Sequence, residues 1–321
     1  MSQSATRVRD LCSLLGVEQP ILLAGMTSVG TARLAAAVSE AGGLGLVAAG
    51  RLTPEGFGTE MDKALALTSR PIGVNIPVVR DTTLMQGMIA AALQRQVSPI
   101  ILGGGNPAPW AALILKAGRK LGIVTATPEQ ARKAEALGAS LVVVAGHEAG
   151  GKAGADEVGG MVLIPAVADA VSLPVIAAGG IVDSRTAAAA LCLGAAGVQL
   201  GTRFMLAEES PLHAETKAAM LRAAVGDTMI IARRYGMARR MLGTPAARHI
   251  AEREAAASQD EMIALLAGRH SERGLLQGDL ATGMVACGQG VGRIANLLPA
   301  AAIVHEIAAG IRPVLAEAAA L

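Results

Sequence analysis

Eight short apolar runs, each set off by glycine or proline, recur along the first two-thirds of the chain. They are ILLA (21–24), LGLVA (44–48), IGVN (72–75), PIIL (99–102), IVTA (123–126), LVVVA (141–145), PVIAA (174–178) and GVQL (197–200). Within each run the apolar residues are continuous rather than alternating, as in a parallel strand buried on both faces. Between them lie segments of helical period such as TARLAAAVSEAG (31–42), TPEQARKAEALGA (127–139) and SRTAAAALCLGA (184–195), several opened by Ser or Thr and closed by Gly. Eight strand–helix units imply an α/β fold closed on itself, a (β/α)8 TIM barrel. The competing arrangement is an open doubly wound sheet. Against it, the first run is followed by GMTSVG (25–30) rather than GxGxxG, and no acidic residue ends the second run to hold a ribose.

After the eighth run the regularity breaks. The spacing predicts a barrel from residues 1–205 and 284–321, with a small additional subdomain at 206–283 that carries the charged stretches ARRYGMARR (232–240) and AEREAAASQDE (251–261). Because it leaves the chain just after a strand's C-terminal end, this subdomain is expected over the barrel mouth. A terminal helical segment is expected over GVGRIANLLPAAAIVHEIAAG (290–310).

Composition narrows the partners. Phe, Trp and Tyr make up 1% of the 321 residues and the formal net charge is only +2, which disfavours nucleic acid. Cys12, Cys192 and Cys287 lie far apart without CxxC or Cys/His spacing, so reduced thiols and no metal site are expected. The first twenty residues lack the apolar region of a signal peptide, and no uninterrupted apolar stretch reaches the roughly 18 residues of a membrane span. These features are expected of a soluble cytoplasmic protein. Alanine-rich helices leave packing against a second copy, a homo-oligomer, open.

Two motifs stand at late strand ends: AAGGIVDS (177–184) after the seventh run and QLGTRF (199–204) after the eighth. In a (β/α)8 barrel the loops after strands seven and eight commonly bind phosphate, and glycine permits the close approach and positive φ that aim backbone N–H groups at it. The plainer alternative is that these glycines only make tight turns.

The ordered set AGMTSVG…AAAVSEAGGLGLVAAG, PIGVNIP, GGGNPAP, AGHEAGGKAG, PVIAAGGIVD, GVQLGTRF and CGQGVGRI resembles the nitronate monooxygenase family, formerly 2-nitropropane dioxygenases, and its allied flavin-dependent enoyl-acyl-carrier-protein reductases. The resemblance implies a barrel that binds flavin mononucleotide (FMN), with a small extra domain over the flavin. It implies that Gly25, Met26 and Thr27 lie beside the flavin ring and that Asn75 contacts it. It also implies that Gly179, Gly180, Gln199, Gly201 and Thr202 hold the phosphate and ribityl chain. For Met26 ordinary core packing, and for Asn75 a strand-end cap, are the plainer readings.

In the family, AGHEAGGKAG (145–154) corresponds to GxEAGGHxG, where Gly150 and Gly151 let backbone pass against the flavin and the motif histidine faces substrate. Here that histidine is Lys152. An imidazole, with an ordinary pKa of about 6.5, exchanges a proton at neutral pH, whereas a lysine at about 10.4 does not unless its surroundings lower it. Lys152 is suited instead to hold an anion: a nitronate, an enolate oxygen or a carboxylate. Glu148 could neutralise it by pairing. His147 could supply the missing base, against the plainer reading of a loop histidine bonded to backbone.

Arg233, Arg234, Arg239 and Arg240 form a basic run that could receive the phosphates of coenzyme A, an acyl carrier or a nicotinamide nucleotide, or simply be a solvated face. Several functions remain open at this point. The first, to which the family resemblance points, is FMN-dependent oxidation of a nitronate or similar carbanion with O2 as acceptor. A second is reduction of an enoyl thioester or quinone with NADH or NADPH, towards which GGGNP (103–107) tilts. A third is a flavin-binding protein without turnover, and a fourth a flavin-free phosphate-binding barrel.

Overall fold

The computed structural model describes residues 3–320. Its main sheet has eight parallel strands: β1 (Ile21–Leu23), β2 (Gly45–Ala48), β3 (Ile72–Pro77), β4 (Ile100–Gly103), β5 (Leu121–Thr125), β6 (Leu141–Ala145), β8 (Val175–Ala178) and β9 (Gly197–Leu200). A two-residue strand, β7 (Gly151–Lys152), lies outside this sheet. The order is β1-β9-β8-β6-β5-β4-β3-β2, and a parallel bridge between Leu22 and Leu44 joins the two ends. The chain is therefore a TIM barrel, and all eight apolar runs are its strands.

The continuous apolar runs follow from two apolar layers. Leu22, Ile101, Val143 and Ile176 pack together inside the barrel, while their neighbours Ile21, Ile100, Val142 and Val175 pack outward against helices. Helix α1 (Gln3–Leu15) contributes Leu11 and Leu15 to the inner cluster and closes the N-terminal end. The outer ring comprises α2 (Ala32–Glu40), α3 (Pro54–Leu67), α4 (Thr82–Gln94), α5 (Ala108–Lys116), α6 (Pro128–Ala136), α7 (Gly160–Ala168) and α8 (Ser184–Cys192). Their starts carry side-chain caps where the sequence offers them. Thr53, Asp81 and Thr127 each accept an N–H three residues on, and Asp183 and Thr186 form a reciprocal capping box.

Beyond β9 come α9 (Thr202–Met205), α10 (Ala214–Arg222), strands β10 (Thr228–Ile231) and β11 (Arg239–Leu242), then α11 (Pro245–Arg253), α12 (Gln259–Leu265) and α13 (Gly268–Leu276). Ile231, Met241, Ile250, Met262 and Met284 form a separate small core, whereas Leu206, Leu212 and Met220 pack with the barrel's outer layer. The second sheet has the order β10-β11-β7, so the excursion recruits a strand from the run at 145–154.

The terminal helix, α14 (Ala300–Ala319), starts later than its periodicity predicts. Residues Gln289–Arg293 form a 3-10 turn, Leu298 bridges to Ala207, and Pro299 caps α14. Proline lacks an N–H and fixes its own φ, which favours the helix start there over continuation from residue 290.

Candidate functional site

The C-terminal ends of the barrel strands bring most of the sequence-marked residues to one mouth. Asn75 lies across Gly25: a β-carbon on Gly25 would stand 2.1 Å from Asn75 Cγ and 2.3 Å from its Cβ. The Asn75 amide donates to Ile101 O over a long 3.4 Å. On the other side, Met26 Sδ stands 3.4 Å from where a Gly201 β-carbon would be, and Thr27 rests on Gly50. Gln199 is buried, its amide nitrogen 3.4 Å from Leu23 O. The result is a floor with two primary amides and little side-chain bulk.

Beside this floor, Gly179 and Gly180 take φ of +93° and +72°, the left-handed region that disfavours other residues. Gly179 sits against the backbone of Ala149. The late motif at residues 287–290 closes over the same place. Gly288 N–H donates to Thr202 Oγ1 at 2.8 Å, Gln289 N–H donates to Glu148 O at 2.9 Å, and Gly150 lies on the Cys287 backbone. Burial pushes the Cys287 thiol up to about 12, so it is a packing residue rather than a nucleophile.

The three ionisable residues of the run at 145–154 do different jobs. Glu148 does not pair with Lys152. Both its carboxylate oxygens accept from Gly160 N–H at 2.9 Å, at the first turn of α7, where the helix dipole favours negative charge. His147 Nε2 lies 3.9 Å from Glu157 Oε2, while Nδ1 is buried without a partner. Its carbonyl accepts from Arg240 Nε, and its N–H donates to Val158 O. Lys152 is in β7, paired with Arg239 of β11. That ladder holds its exposed ammonium 3.6 Å from the position of a Gly104 β-carbon, over the GGGNP turn.

The basic run is dispersed by the same sheet. Arg240 is 4% exposed and is held by His147 O and Thr228 Oγ1, so it is neither a solvated nor a phosphate-facing group. Arg233 pairs with Glu157, Arg234 bonds Ala255 O, and Arg239 reaches Leu266 O. These arginines fasten the small sheet to its surroundings.

Next to Lys152 opens a cavity of about 1120 Å³. Its walls come from the turn 104–108, the end of β5 with Ala126 and Thr127, one face of α6, Ala145, and the stretch 152–157. His147 and Glu148 are not among its lining residues; Lys152, Glu157 and Arg233 are. Gln130, Lys133 and Ala134 of α6 and its C-cap residue Leu137 recur at helical spacing, a signal that reads in sequence only as an amphipathic helix.

Behind the late glycines, Asp183 accepts from Thr186 N–H and pairs with Arg293 at 2.7 Å. Burial pushes its carboxyl up, but the Arg293 and Thr186 hydrogen bonds outweigh that and hold it below the ordinary aspartate value. A depressed carboxylate contributes stability above its unfolded pKa that is lost as pH falls through the folded one. Urea midpoints should therefore fall more steeply below pH 4 in the parent than in Asp183→Asn; parallel pH profiles would rule this contribution out.

The chain and its fold have known relatives. The nitronate monooxygenase family model matches residues 9–96 and 85–310. The (3aS,4S,5R,7aS)-5-hydroxy-7a-methyl-1-oxo-octahydro-1H-indene-4-carboxyl-CoA dehydrogenase of Mycobacterium tuberculosis is 36% identical over 237 residues. That segment is 73% of this chain and 66% of the relative, so the chain spans just under two thirds of that protein's length. A probable nitronate monooxygenase of Staphylococcus haemolyticus is 34% identical, over 69% of this chain and 74% of its own. Among solved structures, FabK from Thermotoga maritima superposes with a TM-score of 0.93 at 35% identity, covering 97% of this chain and 98% of that one. Among the described residues no helix is long and apolar enough to cross a membrane, and no cluster of metal-ligating side chains occurs.

Proposed function

This chain belongs to the nitronate monooxygenase family, and from that premise we propose that it is a flavin-dependent oxidoreductase acting on an acyl thioester, with NADH or NADPH as the other substrate. The observation that carries this reading is the 1120 Å³ cavity beside Lys152. Pockets for drug-sized ligands run to about 300–1,000 Å³. A nitronate of a few heavy atoms would leave most of such a space empty, whereas a thioester with its acyl group would fill it. The coenzyme A thioester in the name of the mycobacterial relative supports the same substrate class.

The residues at the mouth fit FMN. Gly25 lets the Asn75 side chain lie close against the end of β1, and Asn75 and Gln199 offer amides of the kind that bond a heterocyclic ring. Gly179 and Gly180, with Thr202, would hold the phosphate, and Gly150 and Gly151 would line the approach. FMN bound there would supply the two-electron transfer. Lys152 would hold the thioester oxygen and stabilise the negative charge that develops on it as the neighbouring carbon–carbon bond changes order. Glu148 would act by position, tying the run at 145–154 to α7. The connection between β10 and β11, whose Arg233, Gly236 and Ala238 line the cavity, would close over the substrate and keep water out.

A second reading, nitronate oxidation with O2, is favoured by the Lys152 ammonium itself, since a nitronate is an anion. His147 would then be the nearest candidate base, although Glu157 already faces it.

The deciding experiment is anaerobic. Bleaching of the flavin band near 450 nm by NADPH or NADH, then its return with an enoyl-CoA, is the expected result. Bleaching by a nitronate and by neither nucleotide would replace it with the second reading. Lys152→Ala should lower kcat/KM on the order of 100-fold with flavin content unchanged, the usual cost of losing one donor to a developing anion. If Lys152→Ala and Lys152→His both turn over like the parent, Lys152 has no chemical role.

A further inference from the structure

We infer that Arg203 and Arg293 are positioning residues for the cofactor's phosphate, clasping a strap, residues 288–296, across the two loops that would hold it. This role rests on the flavin reading above and falls to side chains that do not touch the cofactor. Arg203 follows Thr202 in α9, just past the end of β9, and is only 5% exposed. A buried cation is costly unless it is hydrogen-bonded. Its guanidinium donates to Asn296 O at 2.9 Å and to Asn296 Oδ1 at 3.2 Å. Arg293 works in the reverse direction: it belongs to the strap and donates to Asp183 Oδ2 at 2.7 Å, where Asp183 caps α8 shortly after Gly179 and Gly180. One arginine is rooted in the loop after β9 and grips the strap; the other is rooted in the strap and grips the loop after β8.

Between the two grips the strap is fitted closely. Its alternate glycines each lie against a different part of the chain. A β-carbon on Gly288 would stand 2.6 Å from Glu148 O, one on Gly290 2.6 Å from Val182 Cγ1, and one on Gly292 2.1 Å from Val225 N. Val291 and Ile294 are buried in the barrel's outer layer. Both arginines, with Asp183, Asn296 and Glu306, line a second cavity of about 220 Å³ whose lining includes none of Gly179, Gly180, Gly201 and Thr202. They therefore act through the backbone they hold. Donors on two separate loops converge on one phosphate only where the loops keep their relative place to about 0.5 Å.

Riboflavin, which lacks the phosphate, isolates this effect. FMN and riboflavin should be titrated into the flavin-stripped protein, its Arg293→Ala and Arg203→Met variants, and Arg293→Lys, which keeps a cation for Asp183. FMN affinity is expected to fall about tenfold or more in the first two variants, the size of one charge-assisted hydrogen bond, with riboflavin affinity within about twofold of the parent. Arg293→Lys should recover most of the loss. Should Arg203→Met fail to fold, Arg293→Ala carries the test, since its side chain is 40% exposed. Equal weakening of both flavins would mean that the arginines only support the fold, and an unchanged preference for FMN would leave the phosphate site standing without the clasp; either result overturns the inference. A parent that binds the two flavins alike, or neither, removes the phosphate site itself and the clasp with it.

Discussion

Gly25→Ala is expected to yield folded but colourless protein, with FMN affinity reduced 100-fold or more. The new β-carbon would sit 2.1 Å from Asn75 Cγ and 2.3 Å from Asn75 Cβ, too near the root of that side chain for a rotamer change to clear it. Either the β1 end or β3 must shift, and overpacking of this kind costs about 1–3 kcal/mol even where the surroundings yield. Asn75→Ala alone should weaken flavin binding less. Only Asn75→Gly, which removes both Cβ and Cγ, relieves the collision, so the losses of Gly25→Ala and Asn75→Gly taken singly should sum to more than the loss measured for that pair. The visible spectrum of each purified protein and FMN titration of the stripped form read this directly. Additive losses would mean that Gly25 and Asn75 act independently and that the mouth is not built as described.

Glu148→Ala should destabilise the fold by about 2–3 kcal/mol, the loss of a charged acceptor together with a stranded N–H at Gly160. Glu148→Gln, which keeps an oxygen at the same place, should lose less than half of that. Urea unfolding of the three proteins distinguishes this from a chemical role. If both variants unfold like the parent yet fail to turn over, the carboxylate works on substrate and its contact with α7 is incidental.

What the sequence made legible follows from how each element is stabilised. The eight barrel strands carry their own signal, because each is apolar on both faces and both faces are covered. Strand order marked the turns that carry Gly179, Gly180 and Gly201, whereas Gly25 was marked by resemblance alone, and its close fit against Asn75, fifty residues on, emerges only from the fold. β7 was not legible. Gly and Lys have little strand preference, and two residues pair here only because Arg239 and Arg240 arrive alongside. The anchor of Glu148 was hidden for a related reason: its partner is a backbone N–H on α7, which no residue type advertises. The cavity wall on α6 reads as an ordinary helix face, since a missing neighbour leaves no mark in the sequence. The late start of α14 depended on Pro299 outweighing an apolar period that continues through it.

The pairing of β7 with β11 has a practical consequence for anyone exchanging parts between relatives. The excursion from 206 to 283 is continuous in sequence, yet its sheet is finished by a strand borrowed from the barrel's own loop. A graft cut at those boundaries would bring a foreign edge against Gly151 and Lys152, and a one-residue slip in that ladder would turn the lysine to the opposite face. Chimeras should therefore carry residues 145–154 with their native partner. Drift in substrate preference among such hybrids would then trace to ladder register as much as to the residues that line the pocket.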